Sequence, residues 1–456
     1  MVSVCGRHCS SYSTSKSRFW RSIGWDRSPR DRMIQPFGPR NTSICSKPIG
    51  VERTNTLNVA VPGVTSIGCC AAAGGPVRSR VARVQYAEAR IAQIISPRAP
   101  RAVHRLPMPV PPSYHAARRA SALVDLSARG RIAVGGDDRA SYLQGLLTND
   151  IEALSSGHGC YAAYLTPQGR MLADLQILDL GDELLLDVHP SVTAMLVERL
   201  RDFVFTEDVT LEDRTTRWTA FGVHGPESAR VVSEVVRPGA GDGSAAISAD
   251  ELGGYPEYRH RVGQFEGVPV VTARSDETGE IGFILYADAG VSAALEDALA
   301  KAGAAKLDAA TFDLLRVEAG RPAFPADMDQ QTIPLEAGIE DRAISMSKGC
   351  YVGQEVIIRI LHRGQGRVGR RLVGISFEPH DAPPAVGATL TTRDDEKAVG
   401  AITSSVRSPA LDRPIALGYV KRRLAEPGTE LVATDAERQL SGVVTRRPFL
   451  PLPTAV

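Results

Sequence analysis

Long apolar runs are missing from this chain of 456 residues. No stretch approaches the roughly 18 consecutive apolar residues that a membrane-crossing helix needs, so none is expected. An excess of one charge is missing too. Lys+Arg 53 against Asp+Glu 52 leaves a net charge of +1, which excludes a global electrostatic pull towards nucleic acid and leaves only local patches. Lysine is scarce, seven of the 53 basic residues, a bias that reads as GC-rich coding rather than chemistry. Cysteine is scarce as well. There are seven, of which Cys5, Cys9, Cys45, Cys69 and Cys70 lie near the start, and this excludes a disulfide scaffold. Cys5 and Cys9 stand in a C-x3-C spacing with His8 as the only histidine beside them. A metal site needs more ligands, so none is expected. No Walker A, HExxH or CxxC pair occurs. What is present, 43 % hydrophobic and 23 % charged residues, is the mix of a soluble globular protein, and the length suggests about three domains.

Residues 1–112 read differently from the rest. Up to residue 80 the only acids are Asp26, Asp31 and Glu52, against twelve Arg or Lys. Serine is frequent and apolar periodicity is absent. Such a segment buries too little apolar surface to offset its ordering entropy. It reads as disordered, as an organelle transit peptide or as translated leader ahead of a downstream start. The PMPVPPSY run at 107–114 reads as a linker.

From 113 to 368 helical and strand patterns alternate. SALVDLSARGRIAVGGDD reads as a short helix or turn and then a strand. DDRASYLQGLLTNDI reads as a helix capped by Asp137 or Asp138. The stretch from Tyr161 to His189 reads as a three-strand meander turning at Gly169 and Gly181. A helix and a strand follow, and then a second α/β round. From 369 to 450 six short strands recur between Gly, Pro and Asp, the pattern of a small β-barrel or sandwich. The fold class is α+β.

Residues 316–371 form a long irregular stretch, and such segments are often functional. At its centre stand Lys348, Gly349, Cys350, Tyr351, Val352, Gly353, Gln354 and Glu355. Two glycines bracket the Cys-Tyr pair and let the backbone turn to present the thiol. Lys348 lies two residues away, and Arg359, His362 and Arg363 follow. Positive charge there would lower the thiol pKa. A buried small residue is the competing reading of Cys350. Gly364, Gly366 and Gly369 formally spell G-x-G-x-x-G but follow no βαβ strand, so they read as a basic turn.

KGCYVGQE, preceded by LRVEAGRPAF and DMDQQTIPLEAG, resembles the YgfZ branch of the GcvT-like folate-binding family. YLQGLLTNDI and YAAYLTPQGRMLADLQI resemble that family's N-terminal signatures. The likeness spans about residues 115–450. Wider relatives are the glycine-cleavage T-protein and the sarcosine and dimethylglycine dehydrogenases. The resemblance implies a ring of three α+β subdomains around a central channel that holds tetrahydrofolate, followed by a C-terminal β-barrel. It carries folate-binding roles to Asp174, Glu280, Arg316 and Asn149, with Glu318 orienting the channel or pairing with Arg316. Where T-protein has two acids, this chain has Ala173 and Asp174, which puts aminomethyl transfer in doubt. Glu280, in TGEIGF, would accept paired hydrogen bonds from an aminopyrimidinone edge, or be a solvated hairpin charge.

The resemblance thus implies a tetrahydrofolate-binding factor for assembly or repair of [4Fe–4S] proteins, acting through Cys350 and Lys348 and affecting tRNA modification indirectly. The alternatives are a tetrahydrofolate-dependent aminomethyl- or methyltransferase and a non-catalytic folate-binding scaffold. Iron–sulfur assembly proteins or client enzymes are the expected partners, with no nucleic acid and no membrane. Whether a cluster is held in passing stays open. The expected location is bacterial cytoplasm, or a mitochondrion or other organelle if the first segment is a transit peptide.

Overall fold

The computed structural model describes residues 110–239, 247–379, 381–436 and 438–452. The expected leader lies outside them except for its last residues, and so do the five cysteines near the start. None of the helices among the described residues is long and apolar enough to cross a membrane.

The fold is GcvT-like, a mixed α/β body followed by a closed barrel. One sheet of the body has five antiparallel strands in the order Gly159–Leu165, Met171–Asp179, Glu183–Val188, Gly130–Gly135 and Thr210–Asp213. The meander read from the sequence supplies its first three strands, turning at Gly169 (φ +73°) and Gly181 (φ +105°). The helix Thr193–Arg201 buries Leu196, Val197 and Leu200, one face at helical spacing, and packs against Gly130–Gly135.

The second sheet has six strands in the order Ala305–Lys306, Ala122–Asp125, Trp218–His224, Gly282–Asp288, Val268–Ser275 and His260–Phe265. Phe221, Val223, Phe283 and Leu285 form its core with Val231, Val232 and Val235 of the helix Ser228–Val235 and Leu295 and Leu299 of Ser292–Lys301. The barrel closes because Arg370–Phe377 pairs on one side with Arg413–Lys421 and on the other with Arg438–Thr445. Leu440 and Val444 point inward from that last strand between exposed neighbours, the period of two that a barrel wall requires.

Three local readings are corrected. Part of the Pro-rich run is helical: Pro112 opens a helix, Pro112–Arg119, in the first-turn position where its missing N–H costs nothing, while residues 107–109 lie outside the described residues. Ala122–Asp125 is a strand, because it lies between two partners in the six-stranded sheet. The helix read over 137–151 is only Arg139–Gln144. Neither Asp137 nor Asp138 caps it through a side chain; Asp138 Oδ2 accepts from the Asp208 N–H at 2.9 Å instead.

Candidate functional site

The KGCYVGQE segment is anchored on both sides of an exposed thiol. Lys348 Nζ donates to the carbonyls of Gln144 (2.7 Å), Leu147 (2.6 Å) and Asn149 (2.7 Å), just past the end of the helix Arg139–Gln144. Burial pushes the Lys348 ammonium down to about 8. Three carbonyl contacts each need an N–H, so the charged form is the one that fits at neutral pH. This corrects the expectation for Lys348: its ammonium is held by backbone oxygens and is not a partner of the Cys350 thiol. Its field acts on Cys160 instead, whose thiol burial pushes up to about 12 against the pull of Lys348.

On the other side, Gly353 (φ +84°) docks against the turn at Gly169. A Cβ at Gly353 would lie 2.6 Å from the Thr166 carbonyl oxygen, so the position tolerates no side chain. Tyr351 is buried, and Gln354 starts the helix Gln354–Ile358, which continues as a π-helical turn over Arg359–Arg363. Glu355 pairs with Arg359 at the surface. Cys350 and Gly349 stay exposed between these anchors.

Glu280 sits in a second cluster. Arg118 Nη1 donates to it at 2.6 Å, and Arg118 also pairs with Glu318, which is fully buried. Glu318 accepts from the Tyr114 hydroxyl (3.0 and 3.1 Å) and from Ser408 of the barrel. Burial raises the Glu280 carboxyl against the opposing pull of Arg118. Glu280 is thus no solvated hairpin charge, and its Oε1 is engaged by Arg118.

Arg316 is corrected as well, since it does not pair with Glu318. It donates to Asp313 (2.8 Å), Asp327 (2.7 Å), the Arg321 carbonyl (2.6 Å) and Ser404 (3.0 Å). Asp327 in turn accepts from Thr403 and Ser404 at 2.5 and 2.7 Å. Arg316 therefore fastens the body to the barrel. Asn149 is likewise built into the backbone, donating to the carbonyls of Tyr161 (2.8 Å) and Arg342 (3.0 Å).

The Asp174 side chain lies in a polar network of side chains that joins the two sheets. It is half-buried and accepts from the Tyr161 hydroxyl at 2.7 Å. Burial raises its carboxyl despite that bond and the nearby Arg129. The Arg342 guanidinium lies 5.0 Å from the Tyr161 ring centroid and donates to Glu257 (2.8 Å) and to the Tyr258 oxygen (2.7 Å). Arg129 bridges Asp187 of one sheet (2.5 Å) to Glu277 beside the other (3.0 Å). Gln176 donates to Glu277 at 2.6 Å, and Tyr286 donates to Asp187 at 2.6 Å. Glu277 Oε2 and Arg342 Nε are buried without a partner.

Sequence reasoning missed Tyr161, Arg129, Glu277, Tyr286 and Arg342. One signal was present: in the hairpin of Gly159–Leu165 and Met171–Asp179, Tyr161 pairs with Gln176, one same-face step from Asp174. A separate concavity of about 440 Å³ lies along the edge strand His260–Phe265. Within it Arg261 and Tyr255 pair with Glu251, and Arg259 pairs with the neighbouring His158. Among the described residues no group of three or more His, Cys, Asp or Glu could hold a metal ion.

A two-sheet body with a half-buried carboxyl between the sheets and a six-strand barrel fastened behind it defines a T-protein-like class. Residues 102–348 match the model of the GCVT N-terminal domain, and 370–450 match that of the glycine cleavage T-protein C-terminal barrel domain. The chain belongs to this GCVT family. It is 30 % identical to a chloroplastic putative transferase of Arabidopsis thaliana, over 72 % of this chain and 71 % of the relative. It is 32 % identical to an aminomethyltransferase of Rubrobacter xylanophilus, over 74 % of this chain and 85 % of the relative. The crystal structure of the aminomethyltransferase T of the Bartonella henselae glycine cleavage system superposes with a TM-score of 0.64 at 22 % identity, covering 75 % of this chain and 89 % of that one, a likeness of fold.

Proposed function

We propose that this protein is a tetrahydrofolate-binding member of the YgfZ branch that supports assembly or repair of [4Fe–4S] proteins through Cys350. The observation that carries the reading is the exposed thiol between two fixed anchors, Lys348 on three carbonyls and Gly353 on the Thr166–Gly169 turn. A thiolate is a soft ligand for iron. One thiol supplies one of the roughly four ligands a cluster needs. Cys350 therefore serves in a transient hand-off, with the client or carrier supplying the rest.

The inter-sheet network fits a folate ring. Glu277 Oε2 and Arg342 Nε stand in it without a partner, and Asp174 and Tyr161 supply a carboxyl and a hydroxyl. Bound tetrahydrofolate would supply a reduced pterin able to carry one-carbon units. Asp174 would face that ring, held in place by Tyr161. The relatives' aminomethyltransferase names support a folate ligand.

Asp174 also favours the second reading, a tetrahydrofolate-dependent aminomethyltransferase. A carboxyl raised by burial is suited to managing a proton at a folate nitrogen. The Arg- and Ser-rich first segment and the chloroplastic relative support an organelle address over bacterial cytoplasm.

Two assays on the purified protein separate the readings. Titration with tetrahydrofolate, followed by Trp218 fluorescence, should saturate. Aminomethyl transfer with a carrier protein should stay at background; robust turnover would establish the transferase instead.

A further inference from the structure

The concavity along the edge strand His260–Phe265 holds about 440 Å³, within the roughly 300–1,000 Å³ of ordinary ligand clefts. A cation stands in it without an acid. Arg259 is half-buried. Its Nη1 donates to the Gly157 carbonyl at 2.9 Å and lies 3.0 Å from His158 Nδ1, and the guanidinium lies 5.7 Å from the Tyr255 ring centroid. None of these neighbours is a carboxylate. Glu251, the acid of the same cleft, is taken by Arg261 (3.1 Å) and by the Tyr255 hydroxyl (2.8 Å). One nitrogen thus fixes Arg259 on the backbone, and the rest of its fork is left for an anion.

The backbone of the strand is unfinished at one residue. Strand residues turn their N–H and C=O alternately to either side. His260 and Gln264 turn theirs away from the sheet and find partners. The His260 N–H donates to the Gly157 carbonyl at 2.9 Å, and Gln264 exchanges bonds of 2.7 and 2.8 Å with Arg237. Val262, between them, faces the same way, and among the described residues nothing meets its N–H or carbonyl. Its side chain is 44 % exposed and lines the cleft with Leu180. From His260 to Gln264 the open edge runs roughly 13 Å at about 3.3 Å per residue, room for about three extended residues.

An open edge of this kind takes up a further strand. Gly157 closes it beyond His260, so a chain paired to Val262 ends there. Such a chain runs antiparallel to His260–Phe265 and brings its terminal carboxylate to Arg259. We infer that this cleft captures the C-terminus of an extended polypeptide, its last residues pairing with the Val262 backbone and its carboxylate lying on the Arg259 guanidinium. An apolar side chain near that terminus packs on Val262 and Leu180. The inference does not rest on the folate or thiol readings. Tyr258 turns its oxygen to Arg342 of the inter-sheet network, whereas Arg259, next in the chain, lines the cleft.

The test is fluorescence anisotropy with the full chain and three short fluorescein-labelled alanine peptides. The first ends in a valine with a free carboxylate, the second is its C-terminal amide, and the third is that amide with one internal glutamate. The free acid should bind saturably, and both amides should bind about tenfold more weakly or worse. Arg259→Met should weaken the free acid about tenfold and leave the amides within about twofold. Val262→Pro deletes the outward N–H at a position where an edge strand accepts proline, and should weaken all three peptides several-fold. If thermal melts show Val262→Pro unfolded, Arg259→Met with the acid and amide pair carries the test. No saturable binding of the free acid up to about 1 mM overturns the inference. So does equal binding of acid and plain amide, or an Arg259→Met variant that binds the free acid like wild type. A glutamate-bearing amide bound as tightly as the free acid overturns it in favour of an acidic side chain.

Discussion

Arg118, on a helix that opens the folded body, donates at 2.6 Å to Glu280, 162 residues further on. The same guanidinium pairs with the fully buried Glu318. Its removal strands a buried carboxylate and frees Glu280. Breaking a buried pair from one side costs about 3–5 kcal/mol. Arg118→Ala should therefore lower the melting temperature by many degrees, whereas Glu280→Gln, which leaves the Glu318 pair in place, should lower it far less. Equal shifts in the two variants would show that Glu318 does not depend on Arg118.

The two cysteines of the folded body should differ sharply in reactivity. Cys350 is exposed, and the Cys160 thiol is pushed up to about 12 by burial. Alkylation at pH 8, read by peptide mass spectrometry, should label Cys350 at least about a hundredfold faster than Cys160. Lys348→Met should leave the Cys350 rate within about threefold of wild type, because the ammonium is held on carbonyls, yet it should lower the melting temperature by removing three charge-assisted bonds. A large fall in the Cys350 rate in that variant would restore Lys348 as the activator of the thiol.

Most of the fold was legible because its elements are strongly periodic. The meander of Tyr161–Val188 alternates, the helix Ser228–Val235 repeats its apolar residues at three to four, and the six barrel strands are separated by turn residues. The helix Pro112–Arg119 was not legible, since its prolines read as a linker and only tertiary contact of Tyr114 and Arg118 with Glu318 gives it a role. The site was half legible. Asp174 was singled out through the resemblance, but the partner of Arg316 was not legible, because a sequence does not reveal which acid an arginine meets: here Asp327, eleven residues on. Glu277 and Arg342 were invisible because their significance is an unmet hydrogen bond, which exists only once the chain is packed.

Arg316→Met should loosen the seam between body and barrel. Asp327 is fully buried and would lose its charged partner. A destabilisation of about 3–5 kcal/mol is expected from thermal or denaturant unfolding. Tetrahydrofolate affinity of the folded fraction should change little, since among the described residues Arg316 reaches the inter-sheet network only through the carbonyl of Arg321, whose side chain lies 3.7 Å from Glu257. A selective loss of affinity without loss of stability would return Arg316 to the binding site.

His224 should make the fold acid-sensitive. It is fully buried beside Phe312, its Nε2 has no partner, and burial pushes it down to about 4, against the opposing pull of Glu277 and Asp276. The unfolded chain takes up the proton near pH 6.5 and the folded chain only near 4, so the folded state loses ground as pH falls through that window. The contribution is roughly 3 kcal/mol across the window. His224→Gln should show a flatter dependence of melting temperature on pH between 6.5 and 4; an identical slope in the two proteins would remove His224 as the cause.

The most direct test of the account is the activity of a [4Fe–4S] enzyme in cells depleted of this protein and supplied with either wild type or Cys350→Ser. Wild type should restore that activity. Cys350→Ser, folded and binding tetrahydrofolate as tightly, should leave it near the depleted level. Full restoration by Cys350→Ser would contradict the claim that the exposed thiol is the working group.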